Sequence, residues 1–234
     1  ISAYIGGDLT AGLAELRLTS GEMLVDIGTN CEIIFHAPQG LVCAAAAAGP
    51  AFEGAGIHCG MRAVDGAIDH YFGKGKFSVI GNIGAKGICG SGMLDFLAVE
   101  RQAGHLNEFG RLQPQHETFE LAPEVFLHEW DIAQLLKAKA AISSGIHALE
   151  EFCQSKAAKI HLAGGFAQYL NLNNAIAIGM LPPGREYSIV GNTSPAGAAH
   201  LACLPEFADT LEKYIESPQE IHLNALPTFE DHFI

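Results

Sequence analysis

The sequence predicts an α/β fold, a mixed sheet with helices on both faces. Three observations carry that expectation. First, residues 24–27 and 31–36 are apolar runs joined by a tight turn at Gly28, the pattern of a β-hairpin. Second, later apolar runs at 160–163 and 187–190 alternate with helix-like segments, and each closes on a glycine-bearing turn. Parallel strands joined by helices read this way. Third, 49% of the 234 residues are apolar, enough for a sizeable core, and 27 glycines allow helices to approach a sheet closely.

The net charge of −13 excludes nucleic acid and anionic membrane surfaces as partners, since both demand basic patches. It suits solubility, or docking to a basic protein surface. The six cysteines form no C-x-x-C pair and no zinc or iron–sulfur spacing. They read as buried free thiols in a reducing compartment. With no signal peptide and no apolar run long enough to cross a bilayer, the expected location is the cytoplasm. The chain opens on Ile1-Ser2-Ala3-Tyr4 without Met, which reads as a fragment or a processed product.

In chain order, residues 1–20 predict a short strand and then a helix over 8–18 with Asp8 as its N-cap. The central hairpin and a third strand near 41–43 follow. The alanine run 44–48 leads into Gly49-Pro50, which marks a close-packed strand end or loop. Residues 66–81 predict a smaller hairpin turning at Gly73-Lys74-Gly75. Residues 86–92 are a Gly-rich turn feeding a helix over 93–103. Residues 102–124 are polar and irregular, a surface excursion. Asp131 caps a long helix reaching Phe152. After the strand at 160–163 comes a helix or turn, then the strand at 187–190, a turn at 191–194 and a helix over 195–204. There Pro195 suits the first turn, where its missing N–H costs nothing. A second helix over 207–215 precedes a mixed tail. The whole reads as one continuous unit, with no repeat and no linker.

The chemistry sits at the turns. Asp26 ends the first strand with a carboxylate. Gly28, Thr29 and Asn30 present successive backbone N–H groups, a nest suited to phosphate oxygens. A carboxylate beside such a nest holds Mg²⁺ through its waters, because Mg²⁺ sheds them reluctantly. The plain alternative is a hairpin with a polar turn. Gly90, Ser91 and Gly92 open a helix, where anions bind readily. Loops at 49–54, 163–166 and 191–194 complete five Gly-bearing strand ends, each of which is otherwise packing glycine. Together they point to a cleft at one sheet edge. No Walker A, G-x-G-x-x-G, G-x-S-x-G or H-E-x-x-H occurs, which disfavours P-loop NTPases, Rossmann dehydrogenases, serine hydrolases and zincins.

These residues resemble a family. Asp26-Ile27-Gly28-Thr29-Asn30 resembles a phosphate motif of the actin-like (ASKHA) ATPase superfamily, which includes acetate and sugar kinases and actin. Leu162-Ala163-Gly164-Gly165-Phe166 resembles its adenosine motif. The closer match is the C-terminal domain of the reductive activators of corrinoid enzymes. Its runs include Ala47-Ala48-Gly49-Pro50-Ala51-Phe52-Glu53-Gly54, Gly60-Met61-Arg62-Ala63, Gly66-Ala67-Ile68, Ile88-Cys89-Gly90-Ser91-Gly92, Ala138-Lys139-Ala140-Ala141-Ile142 and Gly191-Asn192-Thr193-Ser194. They span nearly the whole chain in the family's order.

The resemblance implies a ribonuclease-H-like, actin-like ATPase fold over 1–234, as one half of an actin-like clamp. ATP and Mg²⁺ are the implied cofactors. An iron–sulfur cluster belongs to an N-terminal domain that this chain lacks, as it lacks the family's middle region. The implied activity couples ATP to reactivation of a corrinoid protein, Co(II) to Co(I). The implied partners are a corrinoid protein or methyltransferase system and a second copy of the chain as a homodimer. Other readings are a small-molecule kinase of the same superfamily and a non-catalytic docking or dimerisation module.

By the same resemblance Asp26 orients Mg²⁺ or the attacking water, and Gly28, Thr29 and Asn30 contact phosphate. Gly164, Gly165 and Phe166 approach the nucleotide, and Lys139 reaches it from an Ala-rich helix or is simply solvated. Glu53 is catalytic or only structural. Gly191, Asn192 and Thr193 close the cleft or turn the chain. His161 reads as a packed core histidine, and nothing marks Cys31 or Cys89 as reactive. The chain departs from the family at Cys31, where glycine is usual, and at Ala45 and Ala46, where Ser-Thr is usual. Two hydroxyl donors are thereby absent, and the isolated chain is expected to hydrolyse ATP weakly or not at all.

Overall fold

The computed structural model describes residues 6–114, 117–203, 218–226 and 229. The chain opens with helix α1 (Gly7–Leu16), N-capped by Gly6, so Asp8 lies inside the first turn rather than capping it. Arg17 turns left-handed at φ 49° and returns its N–H to the Leu13 carbonyl, which stops the helix short of Leu18. Strands β1 (Glu22–Ile27), β2 (Cys31–Ala37) and β3 (Gly40–Ala46) follow, so the alanine run is strand up to Ala46 and loop beyond it. A single 3-10 turn at Ala51–Glu53 comes next. Strands β4 (Ala67–Gly73) and β5 (Lys76–Val79) form the expected small hairpin.

The short strand β6 (Gly87–Ile88) leads into α2 (Gly90–Gln102). Strands β7 (Thr118–Ala122) and β8 (Val125–His128) pair antiparallel, where the sequence reads as irregular up to residue 124. Their alternation is too short to stand out, with Leu121, Val125 and Leu127 buried among polar neighbours. Helix α3 (Glu129–Phe152) starts two residues before Asp131. The Asp131 carboxylate reaches back to the His128 N–H at 2.9 Å, the returning half of a capping box, and its other oxygen takes the His58 N–H at 3.0 Å. Strand β9 (Lys159–Ala163), helix α4 (Leu172–Ala177) with Asn171 as N-cap, and strand β10 (Glu186–Gly191) continue the chain. Helix α5 (Thr193–Cys203) keeps Pro195 in its first turn, and β11 (Gln219–Glu220) is the last strand. The strand and helix expected at residues 1–5 and 207–215 lie outside the described residues. No described helix is long and apolar enough to cross a membrane.

The chain divides into two compact units instead of the one the sequence suggests. The first takes its residues from 1–47, 141–168 and 184–234, the second from 48–140 and 169–183. In the first unit six strands run in the order β10-β9-β1-β2-β3-β11. Strands β1, β2 and β3 are antiparallel neighbours, whereas β9 lies parallel to β1 and β10 parallel to β9. One face carries a core of Leu9 and Leu13 from α1 against Leu24, Ile34, Cys43 and Ala163. Each such leucine contributes roughly 1.5–3 kcal/mol by leaving water. The other face receives α3 at Gly145, whose missing side chain leaves room for Ile33 and Ala46. Helices therefore cover both faces of this sheet, as the ribonuclease-H-like reading requires.

In the second unit the sheet order is β5-β4-β6, and α2 packs on β4. Gly92 permits the approach: a Cβ there would sit 2.5 Å from the Ile68 carbonyl oxygen. Two buried carboxylates of α2 are fully used. Asp95 accepts from His70 Nδ1 at 2.9 Å and Asn174 Nδ2 at 2.6 Å, and Glu100 accepts from the Tyr71 hydroxyl at 2.6 Å.

His161 in β9 is buried and neither ring nitrogen has a hydrogen-bond partner; Glu22 stands 3.6 Å away. Burial outweighs that carboxylate and holds the imidazole pKa below its ordinary value near 6.5. The unfolded chain therefore takes up a proton that the native chain resists. Stability should be full above about pH 6.5 and fall as the pH drops through that value toward the lowered folded pKa. Denaturant titrations from pH 7.5 to 5 should show this slope for the wild type, and a flatter one for His161→Gln. Equal slopes would show that His161 is not the group titrating.

Candidate functional site

Because β1, β9 and β10 are parallel, their carboxyl ends open on the same edge of the first unit's sheet. Register fixes the alignment: Asp26 lies beside Ala163, and Ala163 beside Gly191. After these strands come Gly28, Thr29 and Asn30, then Gly164, Gly165 and Phe166, then Asn192 and, opening α5, Thr193. Ten of the sequence-predicted site residues thus meet along one edge, and α/β sheets bind ligands outside such strand ends.

Gly164 decides the local geometry. Its φ is +100°, and a Cβ would strike the Ile27 carbonyl oxygen and stand 2.9 Å from Asp26 Oδ1. Only glycine lets this loop lie flat against the end of β1. Its N–H donates to the Gly191 carbonyl at 3.1 Å, which ties the β9 and β10 loops together. The turn after β1 is equally tight. The Gly28 N–H donates to the Asn30 carbonyl at 3.2 Å, so that donor is withdrawn from the expected phosphate nest. Thr29 and Asn30 are exposed at the rim, and Asp26 is half-buried behind them.

Glu32 was not singled out by the sequence, yet it lies directly across from Asp26 in the β1–β2 register. Cross-strand partners share a face, so two carboxylates stand side by side at the sheet edge. The signal was available in the length of the turn, since pairing Ile27 with Cys31 forces Asp26 onto Glu32. Cys31, which pairs with Ile27, is fully buried. Burial, and then the nearby Asp26 and Glu32 charges, push its thiol far above the ordinary range, so it is no nucleophile. Among the described residues no group of three or more His, Cys, Asp or Glu is arranged to hold a metal ion. A pair of carboxylates that holds a cation through its waters needs no such group.

Thr193 is buried at the start of α5, and its Oγ1 faces Gly12 of α1. It packs two helices together, and only its neighbour Asn192 is exposed. Beside Asn30 lies a cavity of about 400 Å³, lined by Ala45, Ala46, Ala47, Glu220, His222 and Asn224 among others. The two alanines that depart from the family pattern thus form part of its wall.

The remaining predicted residues belong to the second unit. Glu53 ends the 3-10 turn and is exposed. Gly90, Ser91 and Gly92 are buried at the start of α2, where Gly92 serves the approach to β4 and Ser91 Oγ lies 3.4 Å from Cys89 Sγ. Lys139 is half-buried on α3 beside Gly179, at a cavity of about 380 Å³ that also takes in Leu97, Arg101, Leu136 and Ile176. Burial lowers the pKa of its amine.

Comparison with known proteins agrees with this architecture. The family model described as the C-terminal domain of RACo, the ASKHA domain, matches residues 21–234. The corrinoid activation enzyme RamQ of Eubacterium limosum is 30% identical over 268 aligned positions, covering 99% of this chain and 43% of the relative. The Co(II) methylated amine-specific corrinoid protein reductase of Methanosarcina barkeri is 29% identical, covering 86% of this chain and 43% of the relative. A solved reductive activator for corrinoid, iron–sulfur protein superposes with a TM-score of 0.88 at 31% identity, covering 100% of this chain and 42% of that one. The chain spans less than half the length of each of these proteins.

The geometry separates two kinds of substitution. Gly164→Ala should cost about 1–3 kcal/mol, because strain at positive φ adds to the clash with the Ile27 carbonyl. Asp26→Ala, at a strand end beside another carboxylate, should change stability by less than about 1 kcal/mol. Urea unfolding of both variants checks this. A Gly164→Ala protein as stable as wild type would show that the loop does not lie against β1 as described.

Proposed function

The chain belongs to the family of C-terminal ASKHA domains of corrinoid reductive activators, and on that premise we propose that it is the ATP-binding part of a protein that drives Co(II) corrinoid to Co(I). The observation that carries the reading is the alignment of Asp26, Gly164 and Gly191 at three parallel strand ends. The residues fit a nucleotide. The flat Gly164 loop offers backbone at close range, and the Asp26–Glu32 pair offers charge for a hydrated Mg²⁺.

In this reading Thr29 and Asn30 bind phosphate oxygens, and Gly164, Gly165 and Phe166 line the nucleoside. Asp26 holds Mg²⁺ through water and orients the attacking water. Gly191 and Asn192 close the edge. Lys139, Glu53 and Gly90 to Gly92, the other residues the sequence assigns to ATP chemistry, all belong to the second unit. Bound ATP supplies binding energy that biases a conformational equilibrium, as in domain closure generally. In this reading an iron–sulfur centre held outside these residues would supply the one electron that each Co(II) takes up. The reading includes a cytoplasmic homodimer, which sedimentation of the full product would test.

A second reading, a docking module with little nucleotide chemistry, draws support from the engaged Gly28 N–H and from Ala45 and Ala46 at the cavity wall. Activity separates the two. The product of the full reading frame should reduce a Co(II) corrinoid protein only with ATP and Mg²⁺. Asp26→Ala should abolish that reduction while the thermal unfolding midpoint is kept, since preorganised charge at a phosphoryl site acts where water is excluded. The isolated chain should release phosphate well below roughly 1 s⁻¹. Near-wild-type activation by Asp26→Ala would overturn the site, and full turnover by the isolated chain would show the clamp complete without further segments.

A further inference from the structure

The segment around β11 brings a further set of polar groups to the edge where β1, β9 and β10 end. Strand β2 is antiparallel to both β1 and β3, so β3 runs the same way as β1, and β11 lies parallel to β3. The carboxyl ends of β3 and β11 therefore open on that same edge. Here lies the cavity of about 400 Å³, a size that suits a small ligand. Asn30, at the rim of the β1–β2 turn, belongs to its wall, so cavity and turn share a residue.

Ala45 stands opposite Glu32 in the β2–β3 register, as Glu32 stands opposite Asp26. Cross-strand partners share a face, so the Ala45 methyl follows the two carboxylates across the sheet and leaves room that a longer side chain would fill. The rest of the wall is polar. His222 and Asn224 line it, and both are exposed. Their neighbours hold them in place. Ile221 is buried and donates its N–H to the Cys43 carbonyl at 2.9 Å, and Leu223 is buried beside Gly145 of α3. The Ala225 N–H returns to the His222 carbonyl at 2.9 Å, which fixes the turn that follows.

The chemistry of the wall selects the ligand. Asn30 and Asn224 carry amide N–H groups, and an imidazole always has a donor nitrogen. Among the described residues no Lys or Arg lines the cavity, and Glu220 is its one acid. A bare anion would face that carboxylate unscreened, whereas a phosphate bound to Mg²⁺ brings a positive charge with it. Strand order then identifies which phosphate. The strands run β10-β9-β1-β2-β3-β11. In the proposed function the nucleoside lies at the β9 loop and the first phosphates at the β1–β2 turn. A phosphate chain continuing in that direction comes next to β3, two strand spacings or roughly 10 Å beyond β1.

We propose that His222 and Asn224, with Asn30, receive the terminal phosphate of Mg²⁺-bound ATP and so let the domain distinguish ATP from ADP. The inference rests on the proposed function, and it gives a role to a segment which that reading leaves unused. A nucleotide can shift a conformational equilibrium only by its differential affinity for the two states, so a switch reset by hydrolysis needs contacts that ADP does not make.

The test uses the product of the full reading frame, titrated calorimetrically with Mg²⁺ and either ADP or a non-hydrolysable ATP analogue. One variant combines His222→Ala with Asn224→Ala. The control is Gln219→Ala, exposed on the same strand and outside the cavity. The double variant should lose roughly tenfold or more in affinity for the ATP analogue and keep its affinity for ADP within twofold, with the control matching the wild type. Equal losses for both nucleotides, or no loss for either, overturn the assignment and leave the functional reading standing. Should the double variant unfold, hydrogen–deuterium exchange of the wild type decides. The peptide covering 219–226 should then exchange more slowly with the ATP analogue than with ADP, and equal rates overturn the inference. Failure of the wild type to bind either nucleotide overturns the functional reading and the inference together.

Discussion

The candidate site depends on one close approach, that of the backbone at Gly164 to the end of β1. A side chain at Gly164 would meet the Ile27 carbonyl and crowd the Asp26 carboxylate. Its absence allows the β9 loop to lie against the β1 turn, and the Gly164 N–H then draws in Gly191. Three loops that are far apart in sequence become one edge. The parallel pairing of β1, β9 and β10 supplies the direction, and the glycine supplies the distance. The helices show the same constraint in their own packing: a Cβ at Gly197 of α5 would strike the Ala11 carbonyl oxygen of α1, and Gly12 and Gly145 mark further close approaches.

The local period made the strands legible. The hairpin of β1 and β2, the β4–β5 hairpin, β9 and β10 all stand near the positions that apolar runs and Gly turns mark. Helix α5 starts two residues early because Thr193 and Ser194 are compatible with a first turn that Pro195 also tolerates. Features that depend on distant partners were not legible. The β7–β8 hairpin hides in a polar stretch because β7 buries just Leu121 and Ala122, and β8 just Val125 and Leu127. Segment 169–183 joins 48–140 across a long gap in sequence, so two units look like one.

The site was legible in part for the same reason. Residue types named Asp26 and the Gly164-Gly165 turn, and tertiary geometry then changed what some neighbours can do. Gly28 gives its N–H to the turn itself, Thr193 packs between helices, and Gly92 serves the contact of α2 with β4. Glycine in a sequence marks a backbone need, either space for a ligand or space for a helix, and only the fold distinguishes the two. Glu32 shows the converse. An ordinary strand residue becomes part of the site because the hairpin register sets it beside Asp26.

The central claim is that nucleotide binds at the aligned ends of β1, β9 and β10. Hydrogen–deuterium exchange of the full reading-frame product, with and without Mg²⁺ and ATP, tests it most directly. The account predicts slower exchange in peptides covering 26–30, 163–166 and 191–193, together and only when Mg²⁺ and nucleotide are both present. Binding that leaves all three peptides unchanged would contradict it.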